Sequence, residues 1–201
     1  MTLEFFVVTK ISMSFPIEIR DLILKTFGSD QQKAYGQIST VSSQFVPSVR
    51  TVHIHALEDE QVLAVNCNTK SNKVKDIKKN PAIAGCFWDL ENQIQFRFEG
   101  EARLVLETDS KYADLVQVMW MKMREEVRLS YLLDEKGMDL HTTSPDIDPQ
   151  IHSKNHGVML IQTSVWDVFH NHPKEYRLGT RIIYNEKNGM WGKRPVNSLY
   201  S

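Results

Sequence analysis

The chain has 201 residues, enough for one domain with a sizeable core. Its 41% hydrophobic and 24% charged content is ordinary for a globular protein, and a formal net charge of −1 supplies no global field for nucleic acid or an anionic membrane. No stretch approaches the roughly 18 apolar residues needed to span a bilayer. The two cysteines, Cys67 and Cys86, sit in apolar strand-like runs and read as reduced thiols of a cytoplasmic protein rather than as a disulfide.

Residues 1–14 read as an N-terminal extension or an added edge strand; the apolar run inside them lacks the basic flank and length of a signal core. Phe15 and Pro16 open a helix in which Ile19, Leu22, Ile23 and Phe27 recur at helical spacing, with Gly28 as its stop. From Tyr35 the period changes towards two, predicting strands over 34–41, 49–57, 61–67, 82–89 and 93–106. A short helix over 73–79, ended by Asn80-Pro81, falls between the third and fourth of these. One long helix is predicted over 110–133, with Tyr112, Leu115, Val116, Met119, Met123 and Val127 as its buried stripe. Residues 140–155 read as a loop. Strands follow over 157–162, 165–170, 176–185 and 190–196, the last two joined by a turn at Asn185-Glu186-Lys187-Asn188-Gly189. Many short strands with few helices predict a single domain over 1–201, mainly β, an antiparallel barrel with helices packed outside.

Several clusters are candidates for ligand contact. Ser71-Asn72-Lys73 precedes a helix, so its N–H groups and the Lys73 ammonium suit a phosphate, and Arg50 starts a neighbouring strand that reaches the same group. A solvated lysine face explains the same residues. Gln95, between Ile94 and Phe96, either reads the edge of an aromatic ligand or faces solvent. A phosphorylated aromatic ligand held at the rim of a barrel points to a flavin nucleotide. Trp120, Arg124 and Arg128 fall at i, i+4 and i+8 on the long helix, where they grip a second anion or pair with surface acids. Arg177 and Arg181 lie four apart, which on a strand sends both to one face, where an anion or carboxylate must join them. His152/His156 and His170/His172 have metal-compatible spacings but lack accompanying Cys or carboxylate ligands, so no metal is expected. No phosphate-binding glycine loop, nucleophile elbow or nucleophile–base pair is legible, and the catalytic residues stay unassigned.

In order and spacing, these clusters resemble the pyridoxamine 5′-phosphate oxidase family of FMN-binding split barrels. The resemblance runs from about Tyr35 to Val196 and rests on Arg50-Thr51-Val52, Ser71-Asn72-Lys73, Asn80-Pro81 leading to Phe87-Trp88, Gln95 before Gly100-Glu101-Ala102, and Tyr176-Arg177-Leu178 with Arg181 and Trp191. It implies a split barrel, a homodimer with FMN across the subunit interface, and a small-molecule substrate. Arg50 and Lys73 would bind the phosphate with Ser71 and Asn72. Thr51, Val52 and His53 would line the ring, Asn66 and Cys67 would replace a Tyr-Thr pair, and Gln95 and Arg181 would contact the flavin, Arg181 across the dimer. His55, Trp120, Arg124, Arg128 and Arg177 would face the substrate. The departures are on that side: Gly179 stands where the oxidases carry histidine, His55 where they carry lysine, and Phe169 near their flavin-side tryptophan. The expectation is therefore an FMN-dependent oxidoreductase for a small anionic substrate. The alternatives are a non-catalytic flavin storage or sensing module, or a split barrel binding haem or F420.

Overall fold

The computed structural model describes residues 15–28, 34–142 and 146–197. The N-terminal extension expected over residues 1–14 lies outside them. Among the described residues nine antiparallel strands form one sheet, and four α-helices flank it: α1 (Arg20–Phe27), β1 (Tyr35–Val41), β2 (Pro47–His53), β3 (His55–Leu57), β4 (Val62–Asn68), α2 (Asn72–Ile77), β5 (Ala82–Asp89), β6 (Ile94–Val105), α3 (Ala113–Met121), α4 (Glu125–Lys136), β7 (His156–His170), β8 (Thr180–Lys187) and β9 (Met190–Val196). The strand order is β2-β1-β5-β6-β7-β4-β3, with β8 and β9 added along the distal half of β7. No helix is long and apolar enough to cross a membrane among the described residues.

Alternation sends one face of the sheet inward. Ile94, Phe96 and Phe98 of β6 meet Trp166 and Val168 of β7 in the main core, and Phe27 of α1 packs its ring edge-on against Phe87 and Phe96. A smaller core of Ala64, Val105, Val116, Met119, Val158 and Leu160 fastens α3 to the sheet. The β8–β9 turn puts Asn188 and Gly189 both at positive φ, 56° and 78°, as a two-residue hairpin demands. In β6, Gly100 marks a register shift against β7, and a side chain there would press into the Gln162 carbonyl.

Four sequence expectations change. The strand expected over 49–57 breaks at Ile54, which is fully buried and donates its N–H to the Ala34 carbonyl; β2 pairs with β1, whereas β3 turns to β4. The two strands expected over 157–170 are one, because the intervening Thr163 is satisfied in place by the Trp166 indole N–H at 2.9 Å. The strand expected from 176 starts at Thr180, after a 3₁₀ turn at Tyr176–Leu178. The long helix over 110–133 is two helices, because Arg124 adopts an extended backbone (φ −61°, ψ 147°) and starts α4, whose first turn carries Glu125 and Glu126.

Candidate functional site

The bend at Ile54 and the break before Arg124 together open a cleft of about 550 Å³. One wall is Thr51, Val52, His53 and His55 from β2 and β3, with Asn66 of β4 and Lys73 of α2; the other is Lys122, Met123, Arg124, Val127 and Tyr131. Tyr35 closes one end, its ring stacked on His53 at 5.0 Å, and the His53 and His55 rings lie 4.2 Å apart. His55 is buried, and that burial, reinforced by His53 and Lys122, lowers its pKa to about 4, so it faces the cleft as neutral imidazole. Burial, followed by the nearby Cys67, holds the Tyr131 hydroxyl well above the ordinary phenol range, so it is a donor or acceptor and not a phenolate.

Seven of the residues singled out from sequence thus line one cleft: Thr51, Val52, His53, His55, Asn66 and Lys73, and Arg124 across from them. Ser71 precedes α2 without capping it; its hydroxyl oxygen is buried and lacks a hydrogen-bond partner among the described residues. Asn72 is exposed and accepts from Lys75. Arg50 lies outside the cleft. It donates to the Thr40 hydroxyl at 2.8 Å, which donates in turn to Asp76 of α2 at 2.7 Å, so Arg50 braces the helix that carries Lys73.

Other candidates sit elsewhere. The Cys67 side chain points from β4 into the main core, fully buried, with its thiol pushed up to about 11 chiefly by that burial. Gln95 and Arg181 lie outside the cleft at one register, across Phe169. Arg181 is buried and binds Asp167 through two hydrogen bonds of 2.8 and 2.6 Å, and Arg97 joins the same carboxylate. Arg177, in the 3₁₀ turn, is exposed and pairs with Glu175, so Arg177 and Arg181 do not share a strand face; each has its own carboxylate.

Trp120, Arg124 and Arg128 do not share a helix face either, because the break between α3 and α4 sends them apart. Trp120 is fully buried against Tyr131, His152 and His156; Arg124 is exposed and pairs with Glu126 at 3.0 Å. Arg128 is buried, touches the Met121 sulfur at 3.2 Å and has no carboxylate partner among the described residues. Sequence reading missed Lys122, Met123, Val127 and Tyr131. A continuous helix places Met123 and Val127 in its buried stripe, and the signal that would have corrected this was the Glu125-Glu126 pair marking a new helix start. The histidines 152 and 156 bond each other, and no group of three metal-ligating side chains is gathered among the described residues.

Comparison with known proteins bears on the first half of the chain and on the fold. Residues 18–106 match the family model for the pyridoxamine 5′-phosphate oxidase, FMN-binding domain. A pyridoxine/pyridoxamine 5′-phosphate oxidase from Aliarcobacter butzleri (strain RM4018) is 34% identical over 73 residues, which cover 36% of this chain and 34% of that protein. The match therefore spans about a third of that relative's length. A pyridoxamine 5′-phosphate oxidase-related, FMN-binding protein from Nostoc punctiforme PCC 73102 superposes with a TM-score of 0.76 at 22% identity, covering 91% of this chain and 99% of its own. PhzG from Burkholderia lata 383, in complex with tetrahydrophenazine-1-carboxylic acid, gives 0.68 at 13% identity, covering 92% and 93%. At these identities the structural likeness is one of fold, and that fold is the split barrel. Over residues 18–106 the chain is therefore similar to the pyridoxamine 5′-phosphate oxidase, FMN-binding domain, and its fold is that of the split barrels.

Proposed function

We propose that the cleft binds FMN and that the protein is a homodimeric, FMN-dependent oxidoreductase acting on a small anionic substrate. The observation that carries this reading is a division of the cleft. Tyr35, Thr51, Val52, His53, His55, Asn66 and Lys73 all fall within the segment matching the FMN-binding domain, whereas Lys122 to Tyr131 fall outside it. The first wall is the cofactor side and the second the substrate side.

The residues present suit the cofactor. Lys73 supplies a fixed cation for a phosphate, and the unpartnered Ser71 hydroxyl beside it is a buried donor that an anion would satisfy. Tyr35 and His53 offer flat faces, and a cleft of about 550 Å³ is of ordinary size for a small-molecule site. In the dimer proposed here, Gln95 and Arg181, outside this cleft, would meet a flavin contributed by a second copy. Bound FMN would supply hydride or electron transfer, and the protein orientation and electrostatics. On the opposite wall, Lys122 and Arg124 favour an anionic substrate group, and Arg128, on the helix that Arg124 starts, has no carboxylate partner among the described residues.

The test is the visible spectrum of the purified protein, mass analysis of the small molecule released on denaturation, and the mass in solution. A flavin spectrum, released FMN and a mass twice the 23.3 kDa of one chain are expected. A colourless protein that does not take up added FMN would overturn the cofactor assignment, and a monomer with FMN bound would overturn the interface.

A further inference from the structure

A chain of hydrogen bonds runs from the protein surface to the cofactor side of the cleft through residues that the FMN reading leaves unused. Glu107, half exposed at the end of β6, meets His152 Nδ1 at 2.7 Å. His152 Nε2 meets His156 Nδ1 at 2.8 Å, and His156 Nε2 meets Asn66 Oδ1 at 2.9 Å. Trp120 seals the chain, its ring 5.0 Å from His152 and 5.1 Å from His156. Tyr131 of α4 packs on His156 from the cleft side at 5.7 Å. Asn66, the inner end, lines the cleft.

The directions of these bonds are fixed from the inside outward. The Asn66 amide nitrogen donates to the Met119 carbonyl at 3.4 Å, and a carbonyl only accepts, so the amide oxygen is the atom that faces His156. His156 Nε2 must then carry a hydrogen. Burial first, and then His152, lowers the His156 pKa to about 3, so the ring is neutral and its Nδ1 is an acceptor. His152 Nε2 therefore donates. His152 Nδ1 then faces the Glu107 carboxylate at 2.7 Å with no hydrogen of its own, a contact that closes only if the two groups share one further proton. The hydrogen-bond chain then uses only one of the two amide hydrogens of Asn66, a residue that lines the cleft.

Loss of that outer proton reverses every bond. Glu107 then accepts from His152 Nδ1, His152 Nε2 accepts from His156 Nδ1, and His156 Nε2 becomes an acceptor that only the amide N–H₂ of Asn66 satisfies. The amide must rotate, giving up its bond to Met119 and turning its oxygen away from His156.

We propose that His152 and His156 are positioning residues whose shared outer proton with Glu107 sets Asn66 as a donor towards the cleft, so that this wall selects a ligand bearing a carbonyl or anionic oxygen. The consequence for FMN rests on the reading of the cleft given above; the proton inventory does not. The other titratable groups nearby are accounted for. Tyr131 is held as a neutral phenol and the Cys67 thiol on the far side of β4 is pushed up to about 11, both chiefly by burial. Glu135 of α4 is engaged by Ser153 and the Lys154 N–H, Asp134 by Asn68, Lys70 and Asn155, and His55 and Lys122 face the cleft from other elements.

Long-range ¹H–¹⁵N NMR of the imidazoles in the ligand-free protein, followed between about pH 5 and pH 9, reads the inventory directly. Expected is the Nε2–H form of His156 at the lower end and its Nδ1–H form above one transition, with the Asn66 side-chain amide signals moving at the same midpoint. Glu107→Gln, whose amide N–H₂ can donate to His152 Nδ1 without any further proton, should abolish the transition and hold His156 in its Nε2–H form throughout. A single His156 tautomer throughout in the unsubstituted protein, or a transition retained unchanged in Glu107→Gln, would overturn the proposal. Titration of FMN into the same samples should show affinity falling about tenfold across the midpoint, one hydrogen bond's worth. Absence of FMN binding at every pH would remove the cofactor reading and leave the tautomers to decide the switch.

Discussion

Lys73 and Arg50 look equivalent as cations before the fold is known, and the structure separates them. Lys73 lines the cleft, whereas Arg50 acts on α2 through Thr40 and Asp76. Lys73→Ala should weaken FMN binding roughly 10- to 100-fold, as expected for a charge-assisted phosphate contact, while Arg124→Ala leaves FMN affinity unchanged. Fluorescence titration of FMN checks both, and equal losses in the two variants would contradict the division into cofactor and substrate walls. Asp167 is the other decisive residue. Burial alone would raise its pKa, but hydrogen bonds and charge from Arg181 and Arg97 win and hold it below the usual carboxylate range. Asp167→Ala removes the carboxylate that the buried Arg181 shares with Arg97, and the denaturant midpoint should fall by the equivalent of about 3–5 kcal/mol. The sequence could announce that Arg181 needed a carboxylate but not which one, because Asp167 is placed opposite it only by the pairing of β7 with β8. The cleft residues of β2 to β4 were legible because they lie in short local runs. Arg128 and Trp120 were not, since their burial depends on where a helix ends.

At the scale of elements, the strands were read well wherever alternation was uninterrupted, and the misreadings share a cause. Ile54 keeps the alternation while the hydrogen-bonding partner changes, and Thr163-Ser164 interrupts the hydrophobic pattern while the strand continues through. Hydrophobic period reports which face is buried and not which neighbour supplies the hydrogen bonds. The α3–α4 break is invisible to periodicity because the apolar residues on either side still fall near helical spacing. Gly100 gives an element-scale prediction. The register shift of β6 brings the Gln162 carbonyl against its Cα, so Gly100→Ala should destabilise the protein by about 1–3 kcal/mol, seen as a lower thermal midpoint, although an exposed strand glycine would tolerate it.

For the whole molecule, buried imidazoles set the response to acid. Burial chiefly, with His53 and Lys122 acting on one and His152 on the other, lowers His55 to about 4 and His156 to about 3 from an ordinary value of 6.5. Below that ordinary value the unfolded chain binds protons that the folded barrel refuses. Stability therefore falls as the pH drops from 6.5 towards the folded values, and does not rise. The thermal midpoint should decline steadily between about pH 7 and about pH 5, and a flat profile would mean that both rings are solvated.

The position of β7 between β6 and β4 has a consequence for how the chain reaches this structure. Residues 18–106 contain β1 to β6, yet within them β4 and β3 form one ribbon and β2, β1, β5 and β6 another, joined edge to edge only through a strand that begins at His156. A nascent chain emerging from the ribosome holds two unsealed ribbons, each with an open edge, until β7 is made. Closure is then a single late event of high contact order. A chaperone that shields the inner edges of β4 and β6 would act in that interval.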